Sequence, residues 1–506
     1  MTDESLTAYD EVWYPNAALS QTHPDRLATL ANWFGLSPAP VEHCRVLELG
    51  CGDGGNLIPM AYGLPDSQFT GIDLAPQPIA KGQAMVKALG LLNITLEKMD
   101  ILEVSPDFGV FDYIITHGIY SWVPETVREK ILAICQANLA DNGIAYISYN
   151  AYPGCHIRNM MREMLAFHLR DIDEPGEKIR QGRALARFLV EANPEPTAYA
   201  GVLAKQLEDI NNRSDGAFYH DDLSEMNQPF YFYQFVADAA RFGLQYLCEA
   251  SIQDMQTQIF PPSIVATLAV LGKQSLIAKE QYLDFLKGKQ FRQTLLCRQN
   301  VPINREPKPE LLQTFFVTSS ARPVSTHPNL KNQTVEEFLG NKGATMKTGH
   351  PLAKAAIFAL SRSHPVALGF HDLLEKSLEL LDVETNQRMA YVDALTHILL
   401  QSYEAGLVDL HTFQPRFTVE ISDRPLASSL ARWQITDGHT RITNLRHQSI
   451  KVADEKSQQL MLLLDGTHDH AALIRQLYKA KPDDETLANE LVARLEEIAQ
   501  LAFLIQ

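Results

Sequence analysis

Val46-Leu47-Glu48-Leu49-Gly50-Cys51-Gly52-Asp53-Gly54-Gly55 decides the fold. Arg45–Leu49 reads as a strand, the glycines as a tight turn, and about Asn56 to Tyr62 as a helix. Glycine in such a turn lets the backbone approach a ligand closely, because no side chain intervenes. Working outward, Phe69–Leu74 is a second strand. Gln77–Leu89 is a helix with Ile79, Val86 and Leu89 on one face and Gly90 placed to end it. Ile94–Met99, Phe111–Thr116 and Ile144–Tyr149 give three more strands, and the helix between the last two carries Val127, Ile131, Ile134 and Leu139. Strands alternating with helices imply a mainly parallel sheet covered on both faces: an α/β, doubly wound, Rossmann-like fold.

Upstream, Thr22–Gly35 predicts a helix capped by Thr22, with Pro24 in its first turn, Leu27, Leu30 and Phe34 facing inward, and Gly35 as the stop. Downstream the alternation ceases. Ile157–Arg170 and Gly176–Ala192 read as amphipathic helices, Asn193-Pro194-Glu195-Pro196 breaks them, and Phe230–Phe242 is an aromatic-rich helix. Asn304-Arg305-Glu306-Pro307-Lys308-Pro309 reads as a linker. Beyond it, helices at Leu352–Ser361 and Tyr391–Ala405 mix with strands at Phe315–Thr318 and Leu407–Leu410. The expected division is 1–160, a mainly helical 161–303, and an α+β region 310–506.

The 506 residues agree with that division, since a prior of ~150 residues per domain suggests two to four. Hydrophobic residues at 45% and charged residues at 21% exclude a wholly disordered chain. A net charge of −17 argues against charge-driven binding of nucleic acid or anionic lipid, which needs a positive field over the footprint. No apolar run approaches the ~18 residues that span a bilayer, so no membrane insertion is expected. The stretch Met1–Ser20 is acidic and lacks the features of a signal peptide. Cys44, Cys51, Cys135, Cys155, Cys248 and Cys297 form no CxxC pair, so reduced, mostly buried thiols in a cytoplasm are expected.

A lone G-x-G-x-G is weak evidence, but three acids accompany this one. Glu48 precedes the loop. Asp73 ends the next strand, where a carboxylate can accept hydrogen bonds from both ribose hydroxyls, and Asp100 ends the one after, near an adenine amino group. The acid-x-Gly-x-Gly-x-Gly form of Glu48–Gly54 resembles the class I S-adenosylmethionine-dependent methyltransferases over about residues 40–155. A nicotinamide dehydrogenase more often shows G-x-G-x-x-G, a register that Gly55 also completes, and so stays as the weaker alternative. The resemblance implies S-adenosyl-L-methionine as cofactor, with Gly50 and Gly52 along its methionine portion and Asp73 on its ribose. Leu74 would pack on the adenine between Asp100 and Ile101, and His117 would sit beside the sulfonium. The Tyr9–Tyr14 stretch, Tyr14 included, is expected to fold over the cofactor as a lid.

For the methyl acceptor, no Asn/Asp-Pro-Pro-Tyr/Phe motif follows the fourth strand; His117-Gly118-Ile119-Tyr120 stands there, which counts against a base methylase. Ser148-Tyr149-Asn150-Ala151-Tyr152 follows the fifth strand, where loops line ligand sites. Tyr120, Tyr149 and Tyr152 are expected to wall a narrow channel, with Asn150 orienting an amine. Three further stretches, Thr22-His23-Pro24-Asp25-Arg26-Leu27, Tyr219-His220-Asp221-Asp222-Leu223 with Asn227-Gln228-Pro229-Phe230, and Arg432-Trp433-Gln434 with Asn444-Leu445-Arg446-His447, narrow the resemblance. They are similar to a bacterial subfamily with a methyltransferase regulatory domain and a winged-helix-like terminal region. Its members include rickettsial protein lysine methyltransferases acting on outer-membrane surface proteins. The resemblance therefore implies a protein lysine acceptor. A small-molecule or peptide-precursor acceptor, and a cofactor-sensing protein without turnover, remain as alternatives. The long C-terminal extension fits a protein substrate, a homodimer or a regulatory role equally well. No metal is expected: His468 and His470 at i,i+2 would face opposite sides of a helix.

Overall fold

The structure is a computed structural model that describes residues 8–14, 16–384, 388–452, 454–480 and 484–505. Seven strands form one sheet: β1 (Arg45–Leu49), β2 (Gln68–Asp73), β3 (Ile94–Lys98), β4 (Phe111–Thr116), β5 (Leu139–Asn150), β6 (Leu244–Glu249) and β7 (Phe291–Arg298). Their order is β3-β2-β1-β4-β5-β7-β6. The first five run parallel, and β7 lies antiparallel between β5 and β6.

The helices of this half are α1 (Ala8–Glu11), α2 (Pro24–Trp33), α3 (Leu57–Gly63), α4 (Pro76–Leu89), α5 (Glu125–Asn138), α6 (Cys155–Leu169), α7 (Pro175–Glu191), α8 (Ala198–Asn211), α9 (Asp215–Asp222), α10 (Phe232–Arg241), α11 (Pro262–Gln274) and α12 (Leu276–Lys287). α4 ends as expected, at Gly90 in the left-handed conformation. α2 begins at Pro24, and its cap is His23, whose Nδ1 accepts from the Asp25 N–H at 3.1 Å. Thr22 does not cap it; its hydroxyl donates to the Leu19 carbonyl and faces Asn56 instead.

The alternation does not end at residue 160, because β6 and β7 come from the stretch read as helical. Two strands of the sheet thus lie beyond the expected first boundary. The charge of Arg292 masks β7 as a buried strand. Its guanidinium meets Glu249 at 2.6 Å and Asp284 at 2.9 Å and lies 3.8 Å above the Phe232 ring, so the charge is paired away from water.

One face of the sheet packs Val46, Tyr113 and Tyr146 against α2, α3 and α4, and the same core continues into the C-terminal helices α13 (Pro351–Ser363), α14 (Phe370–Leu380) and α15 (Met389–Glu404). Residues 304–309 are pinned rather than loose: the Asn304 N–H donates to Phe34 and Arg305 donates to the carbonyls of Tyr246 and Leu247. The other face packs Leu47, Leu49, Ile114 and Tyr149 against α5 and α10. α6 to α9 share a smaller core around Leu165 and Phe218. The last region has a core of its own, around Leu460, Leu473 and Leu491. It comprises α16 (Ser429–Thr436), a hairpin of Arg441–Thr443 and Ser449–Lys451, α17 (Glu455–Leu463), α18 (His470–Tyr478) and α19 (Glu485–Gln500). Among the described residues no helix is long and apolar enough to cross a membrane. All six cysteines are buried and free.

Candidate active site

The carboxyl edge of β1 to β5 carries the site. From β1 the chain turns through Gly50, Gly52 and Gly54 at φ of +74°, +57° and +74°, values that L side chains rarely adopt. The N–H groups of Gly50 and Cys51 both donate to the Ile72 carbonyl, at 2.9 and 3.0 Å. The Gly52 N–H donates to Asp73 Oδ2 at 2.8 Å, while Asp73 Oδ1 accepts from Ala75 at 2.9 Å. Asp73 therefore ties the loop to the end of β2. Burial raises its carboxyl above the ordinary value, against the pull of these two N–H donors. A Cβ on Gly50 would stand 2.5 Å from Ile119 Cδ1, and one on Gly52 3.1 Å from Asn16 Nδ2. Asn16 itself donates to the Cys51 carbonyl at 2.9 Å. The loop is thus a bare-backbone cradle that side chains at these positions would fill.

Glu48 is buried behind the loop. Its Oε1 accepts from Asn56 Nδ2 at 2.8 Å, and Oε2 has no hydrogen-bond partner among the described residues. Burial pushes this carboxyl up to about 8. Leu74 is 55% exposed, free to pack on a ligand. Asp100 accepts from the Leu102 N–H at 2.9 Å and starts the short turn holding Ile101, next to Asp73, whose carbonyl accepts from Met99. Gly50, Gly52, Asp73, Leu74, Asp100 and Ile101 therefore share one edge.

The N-terminal segment reaches that edge by Asn16. Tyr14 instead packs edge-on to His220 at 5.7 Å, and His220 Nε2 meets the Val12 carbonyl at 2.7 Å. Trp13 covers Lys81 at 4.2 Å, and Asp10 accepts from the Gln77 N–H at the start of α4. The side chain of Tyr9 lies outside the described part of the molecule.

Past β4, His117 Nδ1 meets the Tyr146 hydroxyl at 2.9 Å, the ring edge faces Phe291 at 5.8 Å, and Gly118 N–H donates to Ser148 Oγ at 2.8 Å. Burial lowers the imidazole to about 4, so it is neutral at pH 7. Asn150 donates to Asn227 Oδ1 at 2.7 Å, and Asn227 donates to Asn159 at 3.0 Å. Tyr152 stacks on His156 at 4.1 Å and leans on Tyr231 at 5.2 Å. Tyr120 and Tyr149 are not brought to this wall. Both are 1% exposed in the core under α5 and α10, against Phe230 and Phe235. Alternation along β5 sends Tyr149 to the face opposite Tyr146 and Ser148. Asn16, Tyr146 and Phe291 were missed by the sequence reading, while Ser148 and Asn227 stood in the quoted stretches without a role of their own. Strand parity from Tyr146 identifies Ser148; nothing local identifies Phe291. His468 and His470 turn to Asp465 and to the Ser422 carbonyl respectively.

A glycine loop tied to a strand-end aspartate, on a sheet with its seventh strand reversed between the fifth and sixth, defines a class I S-adenosylmethionine-dependent methyltransferase, and residues 46–143 match a methyltransferase domain model. Residues 214–298 match a predicted methyltransferase regulatory domain and residues 423–504 a PKMT C-terminal winged helix domain. An uncharacterized protein of Rickettsia prowazekii (strain Madrid E), RP789, is 34% identical over 93% of this chain and 85% of its own length. The chain belongs to the family of that protein. Two structures of PKMT2 from Rickettsia typhi, each 28% identical, cover 97% of this chain and all of their own, with TM-scores of 0.87 and, in complex with AdoHcy, 0.88. The cradle fits the cofactor of this class: Gly50, Gly52 and Asp73 would hold it, with Leu74, Asp100 and Ile101 around its base. When bound, it supplies an electrophilic methyl group on sulfur.

Proposed function

We propose that the protein methylates lysine side chains of a protein substrate. The observation that carries this reading is the likeness to PKMT2 from Rickettsia typhi along the whole chain, regulatory and winged-helix regions included. The wall beside the cradle supports it chemically. A lysine amine must lose its proton before it can attack carbon, and a desolvated wall without ionised groups favours the neutral amine. His117 is neutral, burial keeps the Tyr146 hydroxyl protonated, and Ser148 and Asn150 carry no charge. Such a wall accepts an amine as a hydrogen-bond partner without holding it as ammonium. Asn150, oriented by Asn227, is the amide that positions it, and Tyr152 lines the approach.

Incubation of the purified protein with tritiated S-adenosylmethionine and size-fractionated bacterial lysate tests this. Label should enter protein and appear as methyl-lysine after hydrolysis. Label confined to the small-molecule fraction, or to another residue, would overturn the lysine assignment.

A further inference from the structure

The tip of the winged-helix hairpin meets the methyltransferase domain at Asn56 and His23. This tip, residues 444–448, is fixed from within: Asn444 Oδ1 accepts from the N–H groups of Arg446 and Gln448 at 3.0 and 2.9 Å, and its Nδ2 donates to the Leu501 carbonyl at 2.9 Å. His447, at φ +55° and only 5% exposed, projects from this tip, and its Nε2 meets Asn56 Oδ1 at 3.0 Å. Asn56 follows the glycine loop directly and is 1% exposed.

Asn56 stands at the N-cap of α3, a position where its side chain would ordinarily accept a backbone N–H, yet it makes no such bond. It is turned inward. Its Oδ1 accepts from the Leu19 N–H at 3.0 Å, and its Nδ2 donates to Glu48 Oε1 at 2.8 Å and to Thr22 Oγ1 at 3.0 Å. The Leu19 amide can only donate, which fixes the amide orientation of Asn56 and makes His447 Nε2 a donor. His447 Nδ1 is then a bare acceptor without a partner among the described residues. Burial, and next His23, whose ring centre lies 5.0 Å away, hold this imidazole well below its usual value, so it is neutral.

We propose that His447 is a positioning residue for cofactor binding: through Asn56 it holds Glu48 and the start of α3, and with them the glycine loop, in binding shape. Seating of the hairpin and occupancy of the cradle are then linked, and linkage is reciprocal. The regions joined are 391 residues apart in sequence, so the C-terminal domain acts as a brace on the cofactor loop.

The test uses the full chain and S-adenosylhomocysteine. His447→Asn tolerates the left-handed backbone but is too short to reach Asn56, whereas His447→Gln keeps a donor at similar reach. Asp454→Ala removes the N-cap of α17 and serves as a control for general loosening of the domain. By calorimetry, H447N should bind about 5- to 10-fold more weakly than wild type, the size of one lost hydrogen bond. H447Q should stay within about twofold of wild type, and D454A should lose thermal stability at unchanged affinity. Reciprocally, the ligand should slow amide exchange across residues 441–451 in wild type and not in H447N. Wild-type affinity in H447N, or equal weakening in H447N and D454A, would overturn the proposal.

Discussion

Gly50, Gly52, Asp73 and Asp100 lie on three successive strand-to-loop units, and their bonds run within or between neighbouring strand ends, from Gly52 to Asp73, Ala75 to Asp73 and Met99 to the Asp73 carbonyl. The wall around His117 is built differently. Tyr146, Ser148 and Asn150 come from β5 and Phe291 from β7, while Asn227 precedes α10 and lies 77 residues beyond the side chain it holds. The contacts that shape the cofactor edge are local and made largely of backbone, with the distant His447 acting on them only through Asn56; the acceptor wall itself exists only once distant strands have paired. The cofactor side should therefore fail by losing ligand, and the acceptor side by losing transfer while ligand binding survives.

Asp73→Ala is the strongest way to break that contrast. It removes the acceptor of the Gly52 N–H in the loop and of the Ala75 N–H beyond β2 and, in the proposed role, both ribose contacts. S-adenosylhomocysteine should bind about 100-fold more weakly by calorimetry, with the fold intact by circular dichroism. Unchanged affinity would take Asp73 out of the ribose role.

Glu48 sharpens the cofactor side through pH. Its folded value of about 8 lies above the ordinary 4.5, so the folded state binds a proton that the unfolded state has released. The stability it contributes is full below about 4.5 and is lost as pH rises through 8. His23 and His117, each lowered to about 4, work in the opposite window, losing stability as pH falls from 6.5 towards 4. Glu280, which burial raises to about 7, loses stability in the same direction over part of the range from pH 6.5 to 8.5, so Glu48 is isolated by the difference between wild type and a Glu48 variant. Glu48→Gln should keep about 2 kcal/mol that wild type loses over that range, read from denaturant midpoints of the ligand-free protein. Parallel curves would mean that Glu48 is ionised in the fold.

What could be read from the chain follows the same division. The glycine stretch, Asp73 and Asp100 were legible because each follows a strand whose period and length are visible nearby. β7 was not, because Arg292 interrupts its apolar run and the carboxylates that neutralise it come from β6 and α12. Tyr120 sits in a turn, where no period fixes the direction of a side chain. Asn56 was read as the start of a helix and His447 as part of a stretch similar to the winged-helix-like region, with no link between them; only the packed domains show them joined.

On the acceptor side, Asn227→Ala frees the Asn150 amide without touching the loop. Transfer of label to protein should fall about 10-fold while S-adenosylhomocysteine affinity stays within about twofold. A parallel loss of both would mean that the two sides are not separable, and the contrast would fail.

Tyr149→Phe should do the least. The ring, stacked on Phe235 at 4.2 Å, is kept by the substitution, and among the described residues the hydroxyl it removes meets only Thr294, at a long 3.4 Å. Thr294 retains Glu249 as a partner at 2.9 Å, so no buried donor is orphaned. The ring lies on the face of β5 turned from His117, so an acceptor at that wall would not sense the change. Transfer and affinity should both stay within about twofold, with a stability change of about 1 kcal/mol or less. A tenfold loss of transfer alone would bring Tyr149 back to the acceptor and require the strand to present both faces to substrate, which a sheet covered by α10 does not allow.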